Sequence, residues 1–302
     1  MGKWNIQPLK GLHYADLFCN VGGFSWGFHE AGARCIFAVD NYKPAIEFYR
    51  RNISENAVCS DIRDYHYTGF PVDLLLFGFP CNSFSVVGKR EGIRDQKYGS
   101  LFLECVRLLK ETDASYFIAE NVANIVNNEG YIYIYNSFRR AGYNVLAMTL
   151  DFADLGNPSH RKRVLFFGSQ KGLPVFFPER LKCMKHKHID ARDLLYAKLD
   201  DVHGRELLPA AMRKLERGDF CREVPPSGAS QTVCANHSDH ILTLKDGYSL
   251  NKLAFPILQS FPPELFTDCT PSQCRRFAGM AVPPVISRRL AVEFARFLGY
   301  MR

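Results

Sequence analysis

The segment "DLFCNVGGFSWGFHEAG" (residues 16–32) joins a predicted strand to a predicted helix through a pair of glycines. It overlaps the end of an apolar strand predicted over residues 12–18, and it continues as a helix predicted over residues 24–31. Between them, Gly22 and Gly23 allow a tight turn that can bring the helix N-terminus close to a nucleotide-like ligand. This pattern alone is a weak signal, because a purely structural turn has the same residues.

Two acidic residues strengthen the prediction of a nucleotide-type ligand. Asp40 ends the second predicted strand, at about the distance where an acid meets ribose hydroxyls in a nucleotide-binding unit. Asp61, in "VCSDIRD", follows the next expected strand end and could accept a hydrogen bond from an adenine amino group. The alternative for Asp40 is a helix cap. A nicotinamide-dependent dehydrogenase is a rival interpretation, but its GxGxxG fingerprint is missing.

Short apolar runs alternate with helical patterns throughout the first half of the chain. This alternation predicts an α/β fold in which a parallel sheet is connected by crossover helices. The predicted strands are residues 12–18, 35–39, 72–77, 116–119, 144–150 and 164–167. The predicted helices are residues 24–31, 44–51, 101–110 and 131–140.

The alternation is lost over about residues 171–250, where basic residues, prolines and histidines dominate. Segments such as "RLKCMKHKHID" and "EVPPSGASQTV" predict a small irregular domain over residues 172–273. The larger domain is predicted over residues 1–171. It is completed by residues 274–302, whose amphipathic helix "PPVISRRLAVEFARFLGYM" begins at two prolines and is expected to pack back on the first domain.

Composition limits the class of protein. The chain has 302 residues, and no apolar run has the length of a membrane span. The start of the sequence has no signal-peptide core, so we expect a cytoplasmic protein that does not bind a membrane. Ten cysteines are scattered without a CxxC pair, which predicts reduced thiols and no metal site. The net charge of +7 is compatible with a polyanionic partner.

A cysteine follows a proline in "LLLFGFPCNSFSVVGKREG" (residues 74–92). The apolar strand ends just before Pro80 and Cys81, and ligand sites in α/β sheets lie past such strand ends. A thiolate there would be stabilised by the positive residues of the same polar segment, which are Lys89, Arg90 and Arg94. Cys81 is therefore a candidate nucleophile. The alternative is a small buried hydrophobic residue.

Further along, "SYFIAENVANI" places Glu120 and Asn121 at the end of the fourth predicted strand. Carboxylates are rarely buried without a partner, and the Glu120 carboxyl could hold a proton for a substrate nitrogen. In "NPSHRKRVLFFG", Arg161 and Arg163 share one side of a strand, because alternate residues do. Such a pair suits a carbonyl or phosphate group. The alternative for the arginines is a solvated edge.

The ordered motifs resemble those of the DNA (cytosine-5) methyltransferase family. "DLFCNVGG" is similar to its first cofactor motif, "GFPCNSFS" to its nucleophile motif, "ENV" to its catalytic glutamate motif and "RKR" to its paired-arginine motif. The segment "YGSLFLECVRLL" resembles the helix that follows the family's mobile loop. Three later segments resemble those that close the family's target-recognition region and return to the cofactor: "PPSGASQTV", "ILQSFPPELF" and "RRFAGMAVPPVI". The resemblance implies a Rossmann-like S-adenosylmethionine-dependent methyltransferase sheet with helices on both faces, and a small target-recognition domain.

The resemblance also implies the reaction and its residues. Cys81 would add to carbon 6 of a cytosine flipped out of a specific duplex DNA sequence. Glu120 would act at N3, and Arg163 would hold O2 with support from Arg161. Carbon 5 would take the methyl group of S-adenosylmethionine, with S-adenosylhomocysteine as product. The implied cofactor residues are Phe18, Asn20, Gly22, Gly23, Asp40, Asn41, Asp61, Ile62, Pro80, Leu101, Met280 and Val282. The implied DNA contacts, on a loop over about residues 83–99, are Ser83, Ser85, Lys89, Arg90 and Arg94.

The chain departs from the family pattern at several positions. Asn20, Ser159 and Met280 stand where the family usually has glycine, glutamine and asparagine, and Leu253 and Ala254 replace arginine and glutamate. We expect a monomeric enzyme of bacterial or phage type. Three alternatives stay open. One is a cytosine-5 methyltransferase that acts on transfer RNA, although the Cys-Phe-Thr signature of those enzymes is not evident here. The others are a catalytically weakened DNA-binding relative and a thiol hydrolase.

Overall fold

In the computed structural model, the chain folds into two compact units. The first comprises residues 1–150, 162–184 and 287–302, and the second comprises residues 151–161 and 185–286. The structure describes residues 7–80, 99–127, 129–172, 180–181, 183–184, 186–199, 205–206, 221–225, 227–235, 241–243, 249–250 and 252–301.

These boundaries differ from the predicted division at residues 172 and 274. Residues 151–161 belong to the second unit because their backbone bonds to it: His186 N–H donates to the Asp154 carbonyl, and His160 N–H donates to the Ser230 carbonyl. The chain returns to the first unit at residue 287, inside the last helix. The role of the second unit in target recognition stays a prediction.

A seven-stranded sheet forms the centre of the first unit, in the order β3-β2-β1-β4-β5-β7-β6. Its strands are β1 (His13–Leu17), β2 (Arg34–Asp40), β3 (Ala57–Cys59), β4 (Leu74–Gly78), β5 (Tyr116–Val122), β6 (Asn144–Asp151) and β7 (Lys162–Ser169). β1 pairs in parallel with β2 and β4, β2 with β3, and β4 with β5. The carboxyl ends of these strands therefore lie along one edge of the sheet.

The prediction of a parallel sheet is confirmed for β1 to β5 but is wrong for β7, which pairs antiparallel with β5. Residues 152–161, which connect β6 to β7, are too few for the crossover helix that a parallel neighbour needs. The strand β3 was not among the predicted strands, because three residues cannot show a periodic pattern.

Helices cover both faces of this sheet, as predicted. They are α1 (Gly23–Glu30), α2 (Lys43–Asn52), α3 (Gly99–Glu111) and α4 (Glu129–Arg140). Ala15 of β1 belongs to the apolar cluster that also contains Phe102 of α3 and Phe138 of α4. The next residue back, Tyr14, points to the opposite face and contacts Phe28 of α1, with ring centroids 6.5 Å apart.

The last helix, whose final residues 287–297 belong to the first unit, crosses α1 closely. This last helix is α8 (Pro284–Phe297). The helices before it are α5 (Ala191–Lys198), α6 (Ala254–Leu258) and α7 (Pro271–Met280). Gly27 N–H donates to Ser287 Oγ at 2.8 Å, and the serine hydroxyl donates to the Phe24 carbonyl. A Cβ atom on Gly27 would lie 2.2 Å from Arg288 N. The crossing therefore requires glycine at position 27.

The second unit combines α5, α6 and α7 with a four-stranded sheet in the order β8-β11-β10-β9. Its strands are β8 (Arg205–Glu206), β9 (Cys221–Glu223), β10 (Ile241–Thr243) and β11 (Ser249–Leu250). Leu195, Val224, Ile257 and Ala278 belong to its apolar core. In the described part of the chain, no helix has both the length and the apolar character needed to cross a membrane.

Candidate active site

The turn between β1 and α1 has the backbone conformation that the glycine pattern predicts. Phe18, Asn20 and Gly22 have φ angles of 54°, 46° and 78°. A Cβ atom on Gly22 would lie 2.9 Å from two atoms of the buried Tyr49 ring, so both the conformation and the space favour glycine. Asparagine is one of the few other residues that adopt this conformation readily, which explains how Asn20 can replace a glycine.

Asp40, at the end of β2, ties the second strand to this turn. Its carboxylate accepts the Asn20 N–H at 3.0 Å through Oδ2 and the Tyr42 N–H at 2.9 Å through Oδ1. Tyr42 is the residue that precedes α2. The capping interpretation of Asp40 thus describes part of what the side chain does.

Asp16, which the sequence reasoning did not single out, lies buried beneath the turn with 1% of its surface exposed. Its Oδ2 accepts the Ser25 hydroxyl at 2.6 Å, and Ser25 Oγ accepts the Tyr49 hydroxyl at 2.7 Å. Burial raises the pKa of Asp16 to about 8; the Ser25 bond opposes this shift and the Asp40 charge adds to it. The available sequence signal was an acid inside an apolar strand, just before the glycine turn.

The other predicted cofactor residues divide between the two units. Asp61 follows β3, where Arg63 Nε and Nη2 donate to its two carboxylate oxygens at 2.9 and 2.6 Å. These bonds lower the pKa of Asp61 to about 2. Of the rest, the residues in the first unit are Phe18, Asn20, Gly22, Gly23, Asp40, Asn41, Ile62, Pro80 and Leu101. Those in the second unit are Met280, which is half exposed at the end of α7, and Val282, which is buried.

Glu120 and Arg163 form an ion pair where β5 approaches its carboxyl end. Arg163 Nε lies 2.7 Å from Glu120 Oε1, and the two side chains are 14% and 12% exposed. Arg163 is paired with Val122 across the antiparallel β5–β7 ladder, so it is a diagonal neighbour of Glu120 on the same face. On the other side, Glu120 is paired with Gly78, at the end of β4.

The chain that leaves β4 leads towards Cys81, and Asn121 holds its first part. Asn121 is buried, and its Nδ2 donates to the Phe79 carbonyl at 3.1 Å while its Oδ1 accepts the Val122 N–H at 2.8 Å. These bonds fix the backbone two residues before the predicted nucleophile. The predicted residues that lie outside the described part of the chain are Cys81, Ser83, Ser85, Lys89, Arg90 and Arg94.

Arg161 lies in the second unit, one residue before β7. It is 3% exposed, and its Nη1 donates to the Gly279 carbonyl at 3.0 Å. Its N–H donates to Asp151 Oδ1 at 3.0 Å, and the other Asp151 oxygen contacts His160 Nδ1 at 2.9 Å. Burial raises the pKa of Asp151, but hydrogen bonds from His160, Arg161 and Ala153 outweigh it and bring the pKa below its usual range. Asp151 therefore fixes the backbone of the turn that contains Arg161.

Ser159, a departure from the family pattern, is the centre of a buried polar cluster in the same turn. Its Oγ accepts Gln259 Nε2 at 2.8 Å and Asn157 Nδ2 at 3.0 Å. All three side chains are fully buried. The shorter serine thus keeps the turn hydrogen-bonded. Among the described residues, no group of three or more histidine, cysteine, aspartate or glutamate side chains could hold a metal ion.

Comparison with known proteins identifies the family. Residues 12–216 match the model of the C-5 cytosine-specific DNA methylase family. Type II methyltransferase M.NgoBI of Neisseria gonorrhoeae is 32% identical over 291 residues, covering 90% of this chain and 89% of that protein. Type II methyltransferase M.HaeII of Haemophilus aegyptius is 29% identical over 301 residues, covering 94% and 92%.

A solved structure shows the same fold. The Dnmt2 methyltransferase of Schizosaccharomyces pombe superposes with a TM-score of 0.73 at 18% identity, covering 94% of this chain and 98% of that one. The family match confirms the resemblance drawn from the motifs. The chain therefore belongs to the C-5 cytosine-specific DNA methylase family and is a DNA (cytosine-5) methyltransferase.

Proposed function

We propose that this chain transfers the methyl group of S-adenosylmethionine to carbon 5 of a cytosine flipped out of a specific duplex DNA sequence, as a bacterial or phage-type modification enzyme. The observation that carries the proposal is the ion pair between Glu120 and Arg163, because it puts an acid and a cation together beside the end of β4. In the sequence, Cys81 follows β4 after Phe79 and Pro80, so the proposal assigns the nucleophile to the segment next to this pair.

The first unit has features that fit the cofactor. The N-cap residue of α1 is Gly22, which has no side chain to cap the helix, so backbone N–H groups of the first turn could bind a polar ligand. One Asp16 oxygen, buried beneath the turn, has no hydrogen-bond partner within the described residues. The residues that would hold the cofactor are Phe18, Asn20, Gly22, Gly23, Asp40 and Asp61. When bound, S-adenosylmethionine supplies an electrophilic methyl group.

The chain's own residues would act on the cytosine ring. Carbon 6 is a poor electrophile until N3 is protonated or hydrogen-bonded, which is the role of the Glu120 carboxyl. The Cys81 thiolate then adds to carbon 6 and makes carbon 5 nucleophilic towards the methyl group. Loss of the carbon 5 proton and elimination of the thiol restore the ring. Arginine has five N–H donors, so Arg163 can pair with Glu120 and still hold the cytosine O2.

A base stacked in a duplex cannot reach a thiol, so the target must leave the helix. The test is transfer of labelled methyl groups to unmethylated duplex DNA and, separately, to transfer RNA. We expect label at carbon 5 of cytosine in the duplex only. Label in transfer RNA alone would favour the RNA alternative, and label in neither would contradict the proposal.

Cys81→Ser should abolish this transfer while leaving S-adenosylhomocysteine binding near normal, because a serine hydroxyl is far less nucleophilic at neutral pH. The matched control is Cys59→Ser, since Cys59 is an exposed free thiol. Transfer by Cys81→Ser above a few per cent of the wild-type rate would refute covalent catalysis through this residue.

Glu120→Gln should lower the rate of methyl transfer by about 10²–10⁴-fold, the usual contribution of a general acid, because the amide has the same shape but no acidic proton. Glu55→Gln, at an exposed glutamate of the same unit, is the control. The rate is measured in a single turnover on duplex DNA. Normal turnover by Glu120→Gln would remove this carboxyl from the mechanism.

A further inference from the structure

An arginine of α3 holds the segment of chain that follows β3. This segment, residues 61–67, has no helix or strand, and it includes Asp61 and Ile62. Arg107 Nη2 donates to the Ile62 carbonyl and to the Tyr65 carbonyl, both at 2.9 Å. One guanidinium nitrogen thus fixes the segment at two backbone positions.

The other nitrogens of Arg107 bind carboxylates of its own helix. Nε lies 2.7 Å from Glu104 Oε2, and Nη1 lies 2.5 Å from Glu111 Oε1. Glu111 also holds the segment directly, because its Oε2 accepts the Tyr67 N–H at 2.9 Å. The Arg107 side chain is 26% exposed. Its orientation is therefore set on one side by α3 and on the other by the carbonyls.

Asp61 lies in a segment that apolar contacts also hold, because Ile62 belongs to the apolar core and both Tyr65 and Tyr67 contact Phe37 of β2. The described partner of its carboxylate is Arg63, which belongs to the same segment and would move with it. Arg107 is instead attached to α3, whose Phe102 and Cys105 lie in the apolar core. The link from Ile62 through Arg107 to α3 therefore adds hydrogen bonds to the apolar contacts that hold the segment next to Asp61.

We propose that Arg107 is a positioning residue for recognition of the adenine ring of the cofactor. The inference rests on the proposed function, which places Asp61 among the residues that hold the cofactor, and on the sequence-based prediction that Asp61 accepts a hydrogen bond from the adenine amino group; Ile62 is the next residue. Arg107 fixes the backbone that carries these residues, and its planar fork is needed because two carbonyls and two carboxylates are bound at once. Lysine keeps the charge but has a single nitrogen, so it cannot replace this arrangement.

The test is the binding of S-adenosylhomocysteine and of S-inosylhomocysteine, which lacks the adenine amino group, to the full chain by calorimetry. We expect Arg107→Lys to raise the dissociation constant of S-adenosylhomocysteine at least tenfold and to reduce the preference for adenine over hypoxanthine. The KM for S-adenosylmethionine should rise while kcat at saturation stays within twofold of wild type. The control is Arg296→Lys, since Arg296 also pairs with a glutamate three residues away on its helix.

Two results would overturn this role. One is an Arg107→Lys variant with wild-type affinity, and the other is an equal loss of affinity for both nucleosides, which is the result expected of a merely structural residue. If Arg107→Lys fails to fold, Glu111→Gln is the second variant, and an unchanged adenine preference in it would count against the role. A wild-type chain that binds neither compound would instead refute the proposed function.

Discussion

Asp40 holds two backbone groups in the fold, and we propose that the same side chain also binds the cofactor. Its carboxylate holds the N–H groups of Asn20 and Tyr42, and so it joins the glycine turn to the start of α2. Sequence spacing predicted the ribose role, and the structure adds these backbone bonds. The bonds could not be predicted, because they depend on how the turn after β1 meets the end of β2.

Asp40→Ala should weaken S-adenosylmethionine binding by about 1.5–3 kcal/mol, the usual contribution of a hydrogen bond to a charged group. Calorimetric titration measures the effect. Asp40→Asn keeps one acceptor for the turn and should bind more tightly than Asp40→Ala. The control is Asp64→Ala, at an exposed position. An unchanged dissociation constant in Asp40→Ala would show that Asp40 is only a structural cap.

The buried Asp16 should make stability depend on pH. Its pKa is raised from an ordinary value of 3.8 to about 8, so between these values the folded chain keeps a proton that the unfolded chain has lost. Stability from this group is complete below about pH 4 and falls as pH rises, by at most about 1.4 kcal/mol per pH unit, until about pH 8.

Asp16→Asn removes this titration. We expect the free energy of unfolding in urea, measured between pH 5 and 8, to fall less steeply with rising pH in Asp16→Asn than in wild type. The comparison uses slopes, because a pH-independent effect of the amide on stability does not alter the slope. Parallel slopes for the two proteins would mean that Asp16 is ionised in the folded chain.

Whole elements were predictable where local pattern and tertiary role agree. The β1–α1 turn is an example, since its glycines satisfy the backbone angle and the space at once. The strand β3 was missed because it has three residues, and the direction of β7 was wrong because it depends on the short connection from β6. The close crossing of α1 and α8 joins residues about 260 positions apart, a distance at which sequence periodicity carries no information.

Gly27→Ala tests the crossing of α1 and α8. Alanine at an ordinary position inside a helix stabilises it by about 1 kcal/mol relative to glycine. Here the added Cβ would meet Ser287 and Arg288 backbone atoms, which cannot yield as a flexible side chain can. We therefore expect Gly27→Ala to destabilise the chain by about 1–3 kcal/mol in urea unfolding, the usual cost of overpacking. His29→Ala, at an exposed position of α1, is the control; a stabilised Gly27→Ala would contradict the packing.

The organisation of the whole chain was only partly predictable. Loss of periodicity after residue 171 indicated a second unit, but not that the turn at residues 151–161 belongs to it. The bond between Asp151 and Arg161 closes that turn, and the bond from Gln259 to Ser159 holds it from a segment 100 residues away. The target sequence is not predictable at all, because base readout depends on individual side chains meeting base edges.

Binding to duplex DNA should weaken as salt rises, because a chain of net charge +7 that contacts phosphates releases counterions. Anisotropy of a labelled duplex between about 50 and 200 mM salt gives the slope of log affinity against log salt. Replacing Lys89, Arg90 and Arg94 with alanine should reduce the slope by about 0.9 for each side chain that contacts a phosphate. The control replaces Lys43, Arg51 and Lys110, which are exposed on α2 and α3, and so removes the same charge. Equal slopes in the two triple variants would mean that net charge, rather than the predicted DNA-binding loop, sets the salt dependence.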